Sequence, residues 1–222
     1  MKLTETRASR QEGFTLVELM VVVLIAGIIS VTVLTFYLSA LRSTADQTTR
    51  IQNQDSARFA MYEMSRYIRG ACDSDSNQTS IDDSLALARP QEMAFYADVD
   101  GDGSAEKLHY YLSGTTLKME LTEPDTGTIP PTYPAQHQLE SLVILDGIRN
   151  GSDPIFSYYA YNEGTGAIYQ IADPNSADLR RAVVAVGIDL SVNEKPELAR
   201  RATAVSTRVQ LRGRNTGDLD GG

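Results

Sequence analysis

Hydrophobic and polar positions fall along this chain in three regimes. From Leu19 to Leu41 there are 23 consecutive residues without a formal charge, and the first sixteen, LMVVVLIAGIISVTVL, are almost wholly apolar. At about 1.5 Å rise per residue the run spans roughly 34 Å as a helix, enough for a hydrocarbon core of about 30 Å. It has no polar face, so it is not the amphipathic helix of a soluble protein. A cleaved secretory signal is the alternative, but such signals have a shorter apolar region and a small-x-small site just beyond it. Here the run is longer and leads directly into more helix-like sequence. The pattern predicts a retained membrane helix.

After Leu41 the chain turns polar but keeps a helical period to about Ala71. Ala57, Ala60, Met61, Met64, Ile68 and Ala71 recur at threes and fours, a stripe suited to packing on a sheet, while Arg58, Glu63, Arg66 and Arg69 occupy other faces. Gly70 and the string CDSDSNQTSIDDS end the helix and supply a polar loop. Beyond it the period becomes two. Strands are predicted at Glu92–Ala97, Lys107–Leu112, Thr116–Leu121, Leu142–Leu145 and Ile155–Tyr161, with Pro130, Pro131 and Pro134 as an interruption. Val184 to Val192 and Val205 to Leu211 alternate cleanly and read as half-buried antiparallel strands. The tail GRNTGDLDGG reads as frayed. The expected fold is α+β: one long N-terminal helix, its transmembrane part at 14–41 and its amphipathic part at 42–71, packed on an antiparallel β-sheet head at 72–222.

Composition narrows the function without naming it. With 42% hydrophobic and 22% charged residues the chain is neither disordered nor a fibrous rod. A net charge of −9 argues against a general nucleic-acid binder. One cysteine, Cys72, closes no disulfide within the chain, and with two histidines it is too little for a zinc site of nitrogen and sulfur ligands. Cys72 is expected as a free thiol, with an intermolecular disulfide as the alternative.

The flanks set an orientation. Lys2, Arg7 and Arg10 precede the apolar run, which favours a cytoplasmic N-terminus and an exported body. One residue breaks the hydrophobic logic. Glu18 sits just inside the stretch, where a carboxylate costs up to about 2.5–3.5 kcal/mol at a membrane helix centre and less near an end. An interfacial Glu reaching to water is the plain explanation. The surrounding string, Gly13-Phe14-Thr15-Leu16-Val17-Glu18-Leu19 behind a short polar, net-basic leader, suggests more.

That string resembles the class III signal of type IV pilins and pseudopilins, over residues 1 to about 41. The resemblance implies that residues 1–13 are a leader removed by an inner-membrane prepilin peptidase, which cuts between Gly13 and Phe14 and methylates Phe14. Physical chemistry then gives Glu18 a role. Cleavage leaves a cationic amine on Phe14, and positions i and i+4 share a helix face. In a filament core Glu18 can meet the Phe14 amine of a neighbour, so that a charge costly alone specifies register once paired. Many major pilins carry a proline about twenty residues into this helix. Thr35 and its neighbours offer none, and Gly27 is the helix-weakening residue of the span. The segments RFAMYEMSRYIRGA, AFYADVDGDGSAEKLHYYL and TRVQLRGRN are most similar to the PilW-like group of minor pilins.

Other candidates are weighed against plainer explanations. The loop Asp98-Val99-Asp100-Gly101-Asp102-Gly103-Ser104-Ala105-Glu106 begins like an EF-hand, but His109 stands where that loop needs a bidentate Glu. A looser Ca2+ site on Asp98, Asp100, Asp102 and Glu106 is one reading; a solvated Asp/Gly turn is the other. Arg200, Arg201, Arg208, Arg212 and Arg214 make the C-terminal region basic, read as an exposed strand face rather than a contact for DNA or an acidic subunit. Tyr110, Tyr111, Tyr158, Tyr159 and Tyr161 read as core and edge residues. His109 and His137 show no arrangement pointing to catalysis, and no enzyme, small-molecule substrate or nucleic-acid partner is expected. The expected function is that of a minor type IV pilin, acting in pilus initiation or assembly with other major and minor pilin subunits. It would sit in the bacterial inner membrane with a periplasmic head and pass to the pilus surface. A J-type minor pseudopilin of a type II secretion system is the alternative. A membrane-anchored sensor or binding domain, uncut at Gly13, is a third.

Overall fold

The structure, a computed structural model, describes residues 14–72, 84–125, 127, 131–162, 164–193 and 202–211. The leader with Gly13, most of the acidic loop after Cys72, Pro130, Arg200, Arg201 and the tail with Arg212 and Arg214 lie outside the described residues. The chain divides into two compact units between Ala45 and Asp46.

A helix, α1 (Leu16–Arg69), contributes to both units. In the first unit its side chains are all exposed up to Thr44, and the helix is long and apolar enough to cross a membrane. Hydroxyl groups in an apolar helix need a partner, because lipid offers none. Here they turn back onto the backbone: Ser30 Oγ donates to Ala26 O at 2.8 Å, Thr32 Oγ1 to Ile28 O at 2.9 Å and Thr35 Oγ1 to Thr32 O at 2.9 Å.

In the second unit α1 buries the expected stripe, Ala57, Ala60, Met61, Met64 and Ile68, and extends it back to Thr49 and Asn53. Gly70 ends the helix, its N–H bonded to the carbonyls of Arg66 and Tyr67. Ala71 is already in a bridge to Ala97.

Two antiparallel sheets follow, where sequence pattern suggested one. The first has the order β1 (Leu85–Arg89), β2 (Glu92–Ala97), β3 (Glu106–Ser113), β4 (Thr116–Thr122), β5 (Leu142–Leu145). The second comprises β6 (Phe156–Asn162), β7 (Ala167–Ile171), β8 (Val183–Val192) and β9 (Thr203–Gln210), in the order β7-β6-β8-β9. A short helix, α2 (Ala177–Arg181), is capped by Ser176, whose hydroxyl accepts from Leu179 N–H at 3.2 Å.

One hydrophobic core unites the helical stripe with both sheets, through Phe95, Leu108 and Tyr110 of the first and Phe156, Val186, Ile188 and Leu190 of the second. Side-chain hydrogen bonds tie the layers. Tyr158 Oη donates to Arg89 O at 2.9 Å, and Asn150 reads the edge of β8 twice, giving its Nδ2 to Asp189 O at 2.7 Å and taking Ser191 N–H at 2.8 Å.

β8 is not half-buried as its alternation suggested. It lies between β6 and β9, and only Asp189 is exposed along it. On the face away from the core the ring of Tyr159 crosses Gly187, where an added Cβ would sit 3.1 Å from ring carbon Cε2. The Arg208 guanidinium lies over that ring at 3.8 Å from its centroid. Arg208 therefore has an aromatic partner and is not simply a solvated strand charge.

Candidate processing and assembly site

The N-terminal site begins at Phe14, 83% exposed, two residues before α1 starts. The first turn of a helix leaves backbone N–H groups without intrahelical partners. Thr15 and Glu18 supply them reciprocally. Thr15 Oγ1 accepts from Glu18 N–H at 3.3 Å, and Glu18 Oε2 accepts from Thr15 N–H at 3.1 Å and from Thr15 Oγ1 at 3.2 Å. This is a capping box, worth roughly 0.5–2 kcal/mol to a helix start.

The cap was missed by the sequence reading, although its signal, Thr followed three residues later by Glu ahead of an apolar run, stands at residues 15–18. It gives Glu18 a local role beside the one expected from a neighbouring amine. The positive end of the helix dipole lies at the same turn, where an acidic residue is well placed. Only Oε2 makes these bonds, so Oε1 can still accept from a cation.

The acidic loop lies between β2 and β3. One carboxylate oxygen each from Asp98, Asp100 and Glu106 comes within 4.8 Å of the others, while Asp102 stands outside that group. Each of the four acids also takes a backbone N–H. Asp98 accepts from Gly101 at 2.6 Å and from Gly103 at 3.2 Å, Asp100 from Asp102 at 3.1 Å, Asp102 from Ser104 at 2.7 Å, and Glu106 from Val99 at 2.7 Å. Gly101 and Gly103 have φ of 82° and 90°, a conformation that other residues rarely adopt. Glu106 is buried, which pushes its carboxyl above the usual range; the Val99 N–H opposes this, and the charges of Asp100 and Asp102 add to it. The loop thus holds itself by Asx-type turns and keeps lone pairs on three converging carboxylates.

His109 has carboxylate neighbours that the sequence reading did not find. Its Nε2 is 2.9 Å from Glu92 Oε1 and its Nδ1 3.5 Å from Glu120 Oε2. The signal was available only through register, since His109 pairs with Glu120 across β3–β4, and Glu92 with Tyr111 across β2–β3. Burial raises the Glu92 carboxyl, but hydrogen bonds from His109 and Arg89 outweigh it and leave the group below its ordinary value. Arg89 is 2.9 Å from Glu92 Oε2, and Tyr111 donates to Glu120 at 2.7 Å. These side chains satisfy one another along the strands. His137 stands in the 3-10 turn Ala135–His137. Cys72, the single cysteine, is half-buried and closes no disulfide within the chain; its N–H donates to Tyr96 O at 2.9 Å.

Residues 8–34 match the family described as the prokaryotic N-terminal methylation motif. The match spans the end of the leader, Gly13, Phe14, the cap of α1 and most of the apolar run. It supports a type IV pilin-like or pseudopilin-like prepilin, a class of generally non-enzymatic structural proteins. It implies processing by a prepilin peptidase and association with pilin subunits, and with the apolar helix it is consistent with anchoring in the inner membrane. No curated protein matches the chain.

Proposed function

We propose that the chain is a minor type IV pilin of the PilW-like kind, cut between Gly13 and Phe14, methylated on Phe14, and built into or priming a pilus through Glu18. The observation that carries the reading is the methylation motif at 8–34 placed on a capped helix whose apolar part, up to Leu41, holds a single carboxylate four residues after Phe14. A helix whose apolar part is exposed at every side chain up to Thr44 must find lipid or other helices to cover it. A subunit that moves from bilayer to filament core meets both needs with one surface. The absence of proline between Phe14 and Ala71 distinguishes it from many bulk filament subunits.

Mass spectrometry of the protein from sheared surface filaments and from membranes of its host tests this. A chain beginning at methylated Phe14 in the sheared fraction is expected. The processed chain confined to membranes would favour the J-type pseudopilin of a secretion system, and an uncut Met1 chain beside an active peptidase would overturn the prepilin reading.

We also propose that the β2–β3 loop takes Ca2+ on Asp98, Asp100 and Glu106, supported by the convergence of the three carboxylates. Hard oxygen donors in a turn suit that ion. Added Ca2+ at millimolar concentration should raise the melting temperature of the full chain in detergent, and Glu106→Gln should abolish the rise. An identical melt with Ca2+ and with chelator removes the proposal.

A further inference from the structure

In the second unit, the face of α1 turned away from the core is neither apolar nor uniformly charged. Ile51, Arg58, Phe59, Tyr62, Arg66 and Arg69 fall within about 100° of arc at 100° per residue, and all are exposed. Ile51, Phe59 and Tyr62 are 60%, 68% and 67% exposed. Beside them an open cleft of about 360 Å³ lies between the helix and β9, lined by Arg58, Met61, Tyr62, Ser65, Arg66, Arg69 and Thr207. Arg66 shares its guanidinium with Glu63 at 3.7 Å and with Tyr67 Oη at 2.8 Å. Arg58 and Arg69 have no carboxylate partner among the described residues, although the chain holds 29 acidic residues against 20 basic ones. Asp55 is the exposed acid on the same arc.

We infer that this face is a docking surface for a carboxylate-rich patch on another protein. Charge complementarity selects the occupant. The arginines stand clustered in a chain of net charge −9, and guanidinium forks bind carboxylates in bidentate fashion. The aromatic members select a protein over a free anion or a lipid headgroup. Tyr, Phe, Met and Arg side by side form the composition of an interface centre, where large side chains are desolvated and charges paired. Nucleic acid, which would also favour arginine, is repelled by the remainder of the chain. Tyr62 lies between Arg58 and Arg69 on the helix, at i+4 from the first and i−7 from the second, and so forms the middle of the contact. The inference goes beyond the proposed function and does not depend on which assembly the chain enters.

The test uses full-length protein in its host, with p-benzoylphenylalanine in place of Tyr62 and, as a control, in place of the exposed Tyr169 on β7. Irradiation should give a protein adduct from position 62 whose mapped peptide holds at least two Asp or Glu residues, with none of it from position 169. Arg58→Glu with Arg69→Glu should lower the adduct about tenfold, which corresponds to about 1.4 kcal/mol. Arg58→Lys with Arg69→Lys, which keeps the charge but loses the fork, should give a yield between the two, and reversing the mapped acids on the partner should restore it in the Glu variant. Processing after Gly13, followed in every chain, separates a failed contact from a failed prepilin reading. An adduct at undiminished yield in the Glu variant, an adduct to lipid alone, or none at position 62 overturns the inference.

Discussion

The two parts of α1 are built on the same backbone and solve opposite problems. From Leu16 to Thr44 no side chain is buried, and the hydroxyls of Ser30, Thr32 and Thr35 are satisfied by the helix's own carbonyls. From Asp46 to Arg69 one stripe is buried with the sheets, and the remaining faces carry charge. The first part makes no tertiary commitment and leaves its whole surface for a second environment. The second spends its apolar residues on the head's own core and leaves aromatic and arginine side chains outside. Stability therefore resides in one part and environment-dependent packing in the other. Substitutions of the same kind in the two parts should have different consequences.

The largest effect is expected at the start of the first part. Gly13→Ser, or a bulkier change, should block maturation and leave a full-length precursor in the membrane, while the melt of the head stays within about 0.5 kcal/mol. Normal maturation of that variant would sink the cleavage proposal. Glu18→Ala should be cut but fail to enter filaments. Thr15→Ala bears on the two roles of Glu18, because it removes the hydroxyl half of the cap and leaves the carboxylate, which still accepts from the N–H of residue 15. It should lose only part of the incorporation, and a loss equal to that of Glu18→Ala would make the cap, not the pairing with an amine, the reason for the acid.

Next in size is a pair of truncations. Ile68 is 1% exposed in the core and Ile28 is 61% exposed in the apolar part. In detergent, Ile68→Ala should lower the stability of the head by about 2–5 kcal/mol, the usual cost of the lost burial and the cavity left behind. Ile28→Ala should change it by less than about 0.5 kcal/mol. Thermal unfolding followed by circular dichroism reads both. Equal losses would mean that the apolar part belongs to the same cooperative unit as the head.

This contrast also explains what was legible in the sequence. The apolar run, the stripe from Ala57 to Ile68 and the strands with clear alternation were readable because burial there is written in residue type. Leu85–Arg89 was not, since LALAR favours a helix by propensity and becomes β1 only through pairing with β2 across a register shift. Ala167–Ile171 is exposed at four of its five positions, so no alternation marks it, and it forms β7 as the return of a hairpin from β6. Thr49 and Asn53 extend the buried stripe with polar side chains, which a search for apolar periodicity passes over. At the candidate site, Phe14 and Glu18 were visible as a motif and the cap was visible as a spacing. The carboxylates around His109 required the register of three strands.

The smallest expected effect concerns how each region treats a buried hydroxyl. Tyr158 Oη has a partner, the Arg89 carbonyl of β1, whereas Tyr110 Oη, facing the α1 side of the core, has none among the described residues. Burial pushes both phenols up, and the nearby charge of Glu63 pushes Tyr110 further. Removing a hydroxyl that is bonded forfeits about 0.5–1.5 kcal/mol, but removing one buried without a bond relieves a desolvation cost of about 1–3 kcal/mol. Tyr158→Phe should therefore destabilise the head by about 1 kcal/mol, and Tyr110→Phe should be neutral or stabilising, since its ring stacks on Phe95 at 6.0 Å either way. The apolar part of α1 gives the reason to expect this sign. There every serine and threonine between Leu19 and Thr35 finds a carbonyl within its own helix. The phenol of Tyr110, reaching into the core from β3, finds no such carbonyl among the described residues. A loss in Tyr110→Phe matching that in Tyr158→Phe would show that the Tyr110 hydroxyl is bonded in solution, with an internal water as its partner.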